Sequence, residues 1–95
     1  MYRNRKLLNL LSTIPCQNCG IQDGTVVAAH SNQLKHGKGR GIKASDAMVA
    51  ALCYPCHMEL DQGSKMSKEE RKEFWDDAYQ RTMQYLFEND LIEVK

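Results

Sequence analysis

Apolar and polar residues divide the chain into a leucine-rich start, a middle rich in cysteine, glycine and charge, and an amphipathic last third. At the start, Leu7, Leu8 and Leu11 share one face of a helix, and Pro15 prevents that helix from continuing. We therefore predict a short amphipathic helix within residues 1–14.

The same segment has basic residues ahead of its leucines, which is also the outline of a short secretory signal. However, Asn9, Ser12 and Thr13 interrupt the apolar run, and Pro15 stands where a small residue would precede a processed cysteine. An amphipathic helix is the simpler interpretation, so we expect a cytoplasmic protein.

The last third has the pattern of one long helix. Ser67 and Glu70 have the spacing of a capping box, and Asn89 with Asp90 gives a polar end, so we predict a helix over residues 67–90. Such a helix is typical of packing against a core, and the width of its apolar stripe also leaves room for a homodimer. The stripe comprises Phe74, Trp75, Ala78, Tyr79, Thr82, Met83, Leu86 and Phe87.

The four cysteines form two CxxC pairs. The first pair is Cys16 with Cys19 and the second is Cys53 with Cys56, with 33 residues between the pairs. Each two-residue gap lets both sulfurs turn toward one point, and Gly20 suits a tight turn after the first pair, so we predict a structural zinc ion held by four thiolates. Disulfides are the alternative, and a reducing compartment disfavours them.

Between the cysteine pairs, a short β-prone run leads into a glycine-rich basic loop. Residues 25–29 predict a strand that delivers His30 at its end. In residues 35–43, three glycines alternate with basic side chains, a composition that lets a backbone approach phosphate closely. The spacing is not that of a Walker loop, so we predict a basic hairpin loop against nucleic acid, with a solvated loop as the alternative. Its candidate nucleic-acid contacts are Lys35, His36, Lys38, Arg40 and Lys43.

The second cysteine pair lies between two predicted helical segments. Either Ser45 or Asp46 suits the cap of a helical turn over residues 46–52, and the next helix is opened by a proline and ended by a glycine. On that helix, His57 and Asp61 are four residues apart and share one face, so both reach one divalent ion. The alternatives are that His57 replaces a cysteine at the zinc ion or lies at the surface, and that Asp61 is an ordinary solvated acid.

Length and composition limit the chain to one small domain, residues 1–95. With 42% hydrophobic residues in so short a chain, the core is small enough for a metal ion to add useful stability. No apolar run reaches roughly 18 to 20 residues, the length of a membrane-spanning helix.

Residues 1–43 hold seven basic side chains against one acidic, and residues 44–95 hold six against eleven. The net charge of +1 therefore conceals a basic half suited to a polyanion.

The order of these motifs resembles the HNH nucleases with the ββα-metal motif: a CxxC pair, a strand ending in Ala-His, a loop, and a CxxCH followed by Asp. The closer resemblance is to the prophage-encoded YbcO-like nucleases. Residues 29–63 carry it in the Ala-His pair, the HGKG loop, the Lys-Ala-x-Asp turn and the CxxCHxxxD end. With the first CxxC pair and the leading helix, it covers about two thirds of the chain. It implies an α+β domain, with a zinc-stapled ββα core over residues 15–63 between the leading helix and the long carboxyl-terminal helix.

The resemblance implies a metal-dependent DNA endonuclease that hydrolyses a phosphodiester bond and leaves a 5′ phosphate and a 3′ hydroxyl. His30 would be the general base that deprotonates water. His57 and Asp61 would hold Mg²⁺ or another divalent ion against the phosphate. The alternative is a non-catalytic, zinc-stabilised module that binds DNA or a phage protein.

Two positions depart from the HNH pattern. Many HNH enzymes have Asp or His directly before the base as a third metal ligand, where this chain has Ala29, so the ion has two protein ligands unless His30 also binds it. The middle Asn of the pattern, which orients the loop that carries the base, corresponds to Met48. Asp46 or Asn32 is available for that role, and we favour Asp46 because it lies in the matching turn.

Overall fold

A computed structural model describes residues 2–63 and 65–93. Among these residues, three α-helices and a two-stranded sheet form an α+β domain, which confirms the predicted α+β class, whereas the zinc-stapled HNH-type core stays a prediction. None of the helices in these two ranges is both long enough and apolar enough to cross a membrane. In chain order the elements are α1 (Arg5–Leu11), β1 (Val27–His30), a 3-10 turn (Leu34–His36), β2 (Val49–Leu52), α2 (Tyr54–Gln62) and α3 (Lys68–Glu88).

Helix α1 confirms the predicted leading helix but is shorter than residues 1–14. Asn4 caps its start, because the Asn4 side chain accepts a hydrogen bond from the Leu7 amide at 3.1 Å. The helix ends at Leu11, which is fully buried, and Ile14 beyond it is buried as well. The leucine face of α1 therefore closes one side of the core.

Strands β1 and β2 pair antiparallel in a register that sets His30 opposite Val49. The predicted helical turn over residues 46–52 is therefore wrong from Val49 onward. Before that point the chain makes only a turn, in which the Met48 amide donates to the Ser45 carbonyl at 2.9 Å. All four residues of β2 are buried because α1 and α3 both pack against the strand. A strand buries such a short apolar run on both faces, whereas a helix exposes part of it.

Helix α2 begins directly after Cys53, and Pro55 occupies its first turn as predicted. The helix ends at Gln62. A Cβ atom on the next residue, Gly63, would lie 2.5 Å from the Glu59 carbonyl oxygen, so only glycine fits the exit from this helix without a shift of the backbone.

Helix α3 begins at the predicted capping box. The Ser67 hydroxyl accepts a hydrogen bond from the Glu70 amide, and the Glu70 carboxylate accepts one from the Ser67 amide. The helix continues to Glu88, close to its predicted end at residue 90.

Two hydrogen bonds join α3 to the sheet. Thr82 is fully buried, and its hydroxyl accepts from the Ala51 amide of β2 at 3.1 Å, so α3 satisfies a backbone donor of that strand. The indole Nε1 of Trp75 donates to the Ala29 carbonyl of β1 at 3.0 Å. The second bond fixes the backbone directly before His30.

Candidate metal centre and active site

The two CxxC pairs converge on one point. The sulfur atoms of Cys16, Cys19, Cys53 and Cys56 all lie within 4.8 Å of one another, and none of the four cysteines is in a disulfide. The sulfurs of Cys19 and Cys53 are 3.6 Å apart. In a tetrahedral site with Zn–S bonds of about 2.3 Å, neighbouring sulfurs are about 3.8 Å apart, so the cluster fits a zinc ion.

The cluster connects two distant parts of the chain. The first pair lies in the loop after α1, where the Gln17 amide donates to the Ala51 carbonyl of β2 at 2.9 Å. The second pair lies at the end of β2 and in the first turn of α2. A zinc ion at this cluster would therefore tie the amino-terminal loop to the sheet and to the start of α2.

Asn18, the residue directly before Cys19 in the first CxxC turn, contacts two of the sulfurs, although no sequence motif pointed to it. Its backbone amide lies 3.4 Å from the Cys16 sulfur, and its side-chain amide donates to the Cys56 sulfur at 3.3 Å. Burial alone would raise the pKa of Cys16, but hydrogen bonds from nearby backbone amides, first that of Cys19, lower it to about 6. Burial raises the pKa of Cys56 to about 12. Binding of zinc to the four thiols must therefore release protons, which makes it dependent on pH.

His57 and Asp61 lie one turn apart on α2, as their spacing predicts. His57 Nε2 is 3.1 Å from Asp61 Oδ2, and both side chains are partly exposed. Two neighbouring ligands of an octahedral ion, each about 2.1 Å from the metal, are about 3 Å apart, so the pair fits two adjacent positions around one divalent ion. The same distance also fits a hydrogen bond between the two side chains.

His30, the last residue of β1, is hydrogen-bonded to Asp46 over 2.7 Å, from Nε2 to Oδ1. Asp46 is only 4% exposed, and its carboxylate also accepts from the Asn4 amide at 2.7 Å and from the Arg3 guanidinium at 3.2 Å. Burial alone would raise the pKa of Asp46, but these hydrogen bonds, first that of His30, lower it to about 2. The charged carboxylate thus holds Nε2 of the His30 ring. The other ring nitrogen, Nδ1, is not bonded to Asp46.

His30 and Asp61 line the same cavity, whose volume is about 250 Å³, whereas His57 is not part of its lining. Among the described residues, the four cysteines are the only group of three or more potential ligands whose ligand atoms are mutually within 4.8 Å. His30 therefore lies outside ligand distance of the His57–Asp61 pair. The cations that line this cavity are Lys68, Arg71 and Lys72.

Arg71, which no motif singled out, holds the carboxyl end of α2. Its guanidinium donates to the carbonyl of Leu60 at 2.9 Å, to that of Asp61 at 3.2 Å, and also to that of Gly63. The end of a helix leaves such carbonyls without partners, so Arg71 caps α2 and fixes the backbone of Asp61. The signal in the sequence is the spacing of residues 68, 71 and 72, which places three cations on one face of α3.

The predicted basic loop contains a tight hairpin, in which Gly39 and Ile42 exchange two backbone hydrogen bonds of 3.1 and 3.0 Å. His36 is the last residue of the 3-10 turn that precedes this hairpin, and its side chain packs inward. Its Nδ1 is 2.6 Å from the Ser31 hydroxyl, and its ring centre is 5.5 Å from that of Trp75. His36 therefore has a packing role in this structure.

The cations of the loop lie on different surfaces. Lys43 lines a second cavity beside His30, whereas Lys38 and Arg40 line neither of the two cavities at His30. Lys35 borders a separate groove with the first turns of α3. That these residues contact nucleic acid stays a prediction.

No model of a known protein family matches this chain, and no curated protein or solved structure matches it either. The described residues form an α+β domain whose four clustered cysteines are compatible with a zinc ion. The resemblance to the HNH nucleases thus rests on the sequence motifs alone and stays a prediction.

Proposed function

We propose that this protein is a metal-dependent DNA endonuclease of the HNH type. The observation that carries the proposal is a single cavity lined both by His30, which Asp46 orients, and by Asp61, the partner of His57. A base and a metal ligand on one cavity are what metal-assisted hydrolysis of a phosphodiester bond requires.

His30 is the general base in this proposal. Because Asp46 holds Nε2 at 2.7 Å, Nδ1 is the nitrogen that takes a proton from the attacking water. The Asp46 carboxylate is charged at neutral pH, since its pKa is about 2, and it stabilises the imidazolium that results. The bond from Trp75 to the Ala29 carbonyl keeps the end of β1, and therefore the His30 ring, in place.

His57 and Asp61 are the proposed ligands of the catalytic divalent ion, Mg²⁺ or another. When bound, that ion supplies a Lewis acid for a phosphate oxygen and for the leaving 3′ oxygen. Lys68 and Lys72 line the same cavity and contribute positive charge toward a bound phosphate. Cys56 directly precedes His57, so zinc at the four-cysteine cluster would fix the first turn of α2 and the position of the His57 ring.

Nicking of supercoiled plasmid DNA tests the proposal, with Mg²⁺, Mn²⁺, Ni²⁺ or Zn²⁺ added to the zinc-loaded protein. We expect cleavage by the wild type and a loss of about 100-fold or more in His30→Ala and in His57→Ala. Asp61→Asn should also lose activity, whereas Asp77→Asn, the same chemical change on the exposed face of α3, should not. Zinc content and the circular dichroism spectrum should remain those of the wild type.

Unchanged cleavage by His57→Ala, with zinc and fold retained, would overturn the proposed ion site. A wild type that binds DNA but cuts it with none of these ions would instead support the non-catalytic, zinc-stabilised binding module. The two results separate an enzyme from a binding protein with the same chain.

A further inference from the structure

His30 borders a second cavity, of about 560 Å³, besides the one it shares with Asp61. The second cavity lies between the start of α1 and the carboxyl end of the basic hairpin. Its lining residues that matter here are Arg3, Arg5, Gly41, Lys43 and Asp46. The proposed base therefore stands where two cavities meet, each of them lined by basic side chains.

The three cations of the second cavity differ in whether they bond to other residues of the protein. Arg3 does, because its guanidinium donates to the Ala44 carbonyl at 2.6 Å and to Asp46 at 3.2 Å. Within residues 2–63 and 65–93, by contrast, the exposed side chains of Arg5 and Lys43 make no hydrogen bond or ion pair.

The one carboxylate in the wall of this cavity does not neutralise Arg5 and Lys43. Asp46 is buried and already accepts hydrogen bonds from His30, the Asn4 amide and Arg3. Two cations with no protein anion therefore line a cavity that opens beside the base. Such a site suits an anionic group of the substrate that does not itself react.

We propose that Arg5 and Lys43 bind the phosphate of the DNA backbone next to the one that is cut. This inference rests on the proposed function: the cut phosphate lies in the cavity of Asp61, and the neighbouring phosphate of the same strand lies in the second cavity. Contacts to a neighbouring phosphate carry no sequence information but fix the register of the strand, which here means its position over His30. Arg5 and Lys43 therefore strengthen binding to any DNA sequence equally.

The salt dependence of DNA binding tests this subsite. The double variant Arg5→Ala/Lys43→Ala is compared with Lys6→Ala/Lys65→Ala, which loses the same charge from outside both cavities. Lys6 is a strict control, since it neighbours Arg5 in α1 but lines a different surface. Binding of a labelled duplex to the zinc-loaded protein is followed by fluorescence anisotropy between about 50 and 200 mM salt, without any added divalent ion.

We expect the slope of log affinity against log salt to become shallower by about one unit in Arg5→Ala/Lys43→Ala and to stay unchanged in the control. An unchanged slope in Arg5→Ala/Lys43→Ala, or an equal change in both variants, would overturn the subsite. In either case plasmid cleavage by the wild type would leave the proposed function standing. A wild type that neither binds nor cuts DNA would overturn both.

Discussion

Asp46→Asn removes the charge that holds His30 while it keeps the shape of the side chain. Burial opposes the charged form of Asp46, but the hydrogen bonds from His30, Asn4 and Arg3 lower its pKa from 3.8 to about 2. A shift of that size favours the carboxylate by about 2 kcal/mol. Because Arg3 is 45% exposed, water screens part of this energy. We therefore expect the free energy of unfolding of Asp46→Asn to be lower than that of the wild type by about 1 to 2 kcal/mol.

The dependence of this difference on pH has a defined sign. The pKa of Asp46 is lower in the folded protein than in the unfolded chain, so its stabilisation is complete above about pH 4 and is lost as the pH falls through about 2. The Asp46 carboxylate is therefore fully charged at both about pH 8 and about pH 6, and its own titration adds no difference between these two pH values. Acid weakens zinc binding in the wild type and in Asp46→Asn alike, so this effect cancels in the difference between their free energies of unfolding.

Urea unfolding of the zinc-loaded proteins measures the difference, with Asp77→Asn as the control for loss of an exposed acid. A double-mutant cycle with Arg3→Ala separates the contribution of Arg3 from those of His30 and the Asn4 amide. An Asp46→Asn protein within about 0.5 kcal/mol of the wild type at both pH values would refute the reasoning. It would mean that the three donors do not stabilise the charged carboxylate.

Removal of zinc with a strong chelator should unfold the domain, because a zinc ion at the four cysteines would tie the amino-terminal loop to β2 and α2. A far-ultraviolet circular dichroism spectrum that is unchanged after verified demetallation would contradict the four-thiolate site, and zinc added back should restore the folded spectrum. Arg71→Lys keeps the charge but loses the planar fork that reaches the Leu60 and Asp61 carbonyls, so the free energy of unfolding should fall by about 2 kcal/mol. The affinity for Mn²⁺ should fall with it, as measured by calorimetric titration, and Arg71→Lys values equal to those of a Lys72→Arg control would count against this role.

The four-cysteine cluster and the His57–Asp61 pair on α2 are predictable because each is local in the sequence. A CxxC gap brings two sulfurs together wherever it occurs, and two such pairs need only one long-range contact to complete a cluster. His57 and Asp61 need only the helix that contains them, since a spacing of four sets them one turn apart. The capping box at Ser67 is likewise complete within four residues.

Strand β2 is not predictable from the same patterns. The run Val-Ala-Ala-Leu has neither the alternation of a half-buried strand nor the length of a helix, so its periodicity does not choose between them. The choice comes from distant partners: β1 supplies the ladder, and Thr82 of α3 accepts from the Ala51 amide. Arg3 is 43 residues from Asp46, and no spacing rule connects them either.

Composition indicates how much positive charge the chain carries, but it does not locate that charge. Glycine density draws attention to Lys38 and Arg40, yet neither lines a cavity at His30. The cations that do line those cavities come mainly from the first turns of two helices far apart in sequence, α1 and α3. They are Arg3, Arg5, Lys43, Lys68, Arg71 and Lys72.

The core explains why polar contacts position this site. Five of the fifteen buried hydrophobic residues in the described part of the chain are alanines, namely Ala29, Ala44, Ala50, Ala51 and Ala78. Small side chains interlock less than large ones, so they fix the orientation of neighbouring elements less strongly. Hydrogen bonds therefore hold the candidate site residues in this structure, and a zinc ion at the four cysteines would add to them.

Three of the four proposed catalytic groups, His30, Asp46 and Asp61, have such a contact on the backbone beside them or on their own side chain. Trp75 bonds the carbonyl before His30, the Asn4 amide bonds Asp46, and Arg71 bonds the carbonyl of Asp61 itself. Displacement of a reacting group by about 1 Å can cost about 100-fold in rate, so if the proposed cleavage occurs, we expect loss of one contact to lower its rate more than the effect on stability would suggest. Trp75→Phe removes the Nε1 donor together with the five-membered ring of a buried indole, so it should lower the free energy of unfolding and, at conditions where the protein stays folded, also slow the proposed cleavage.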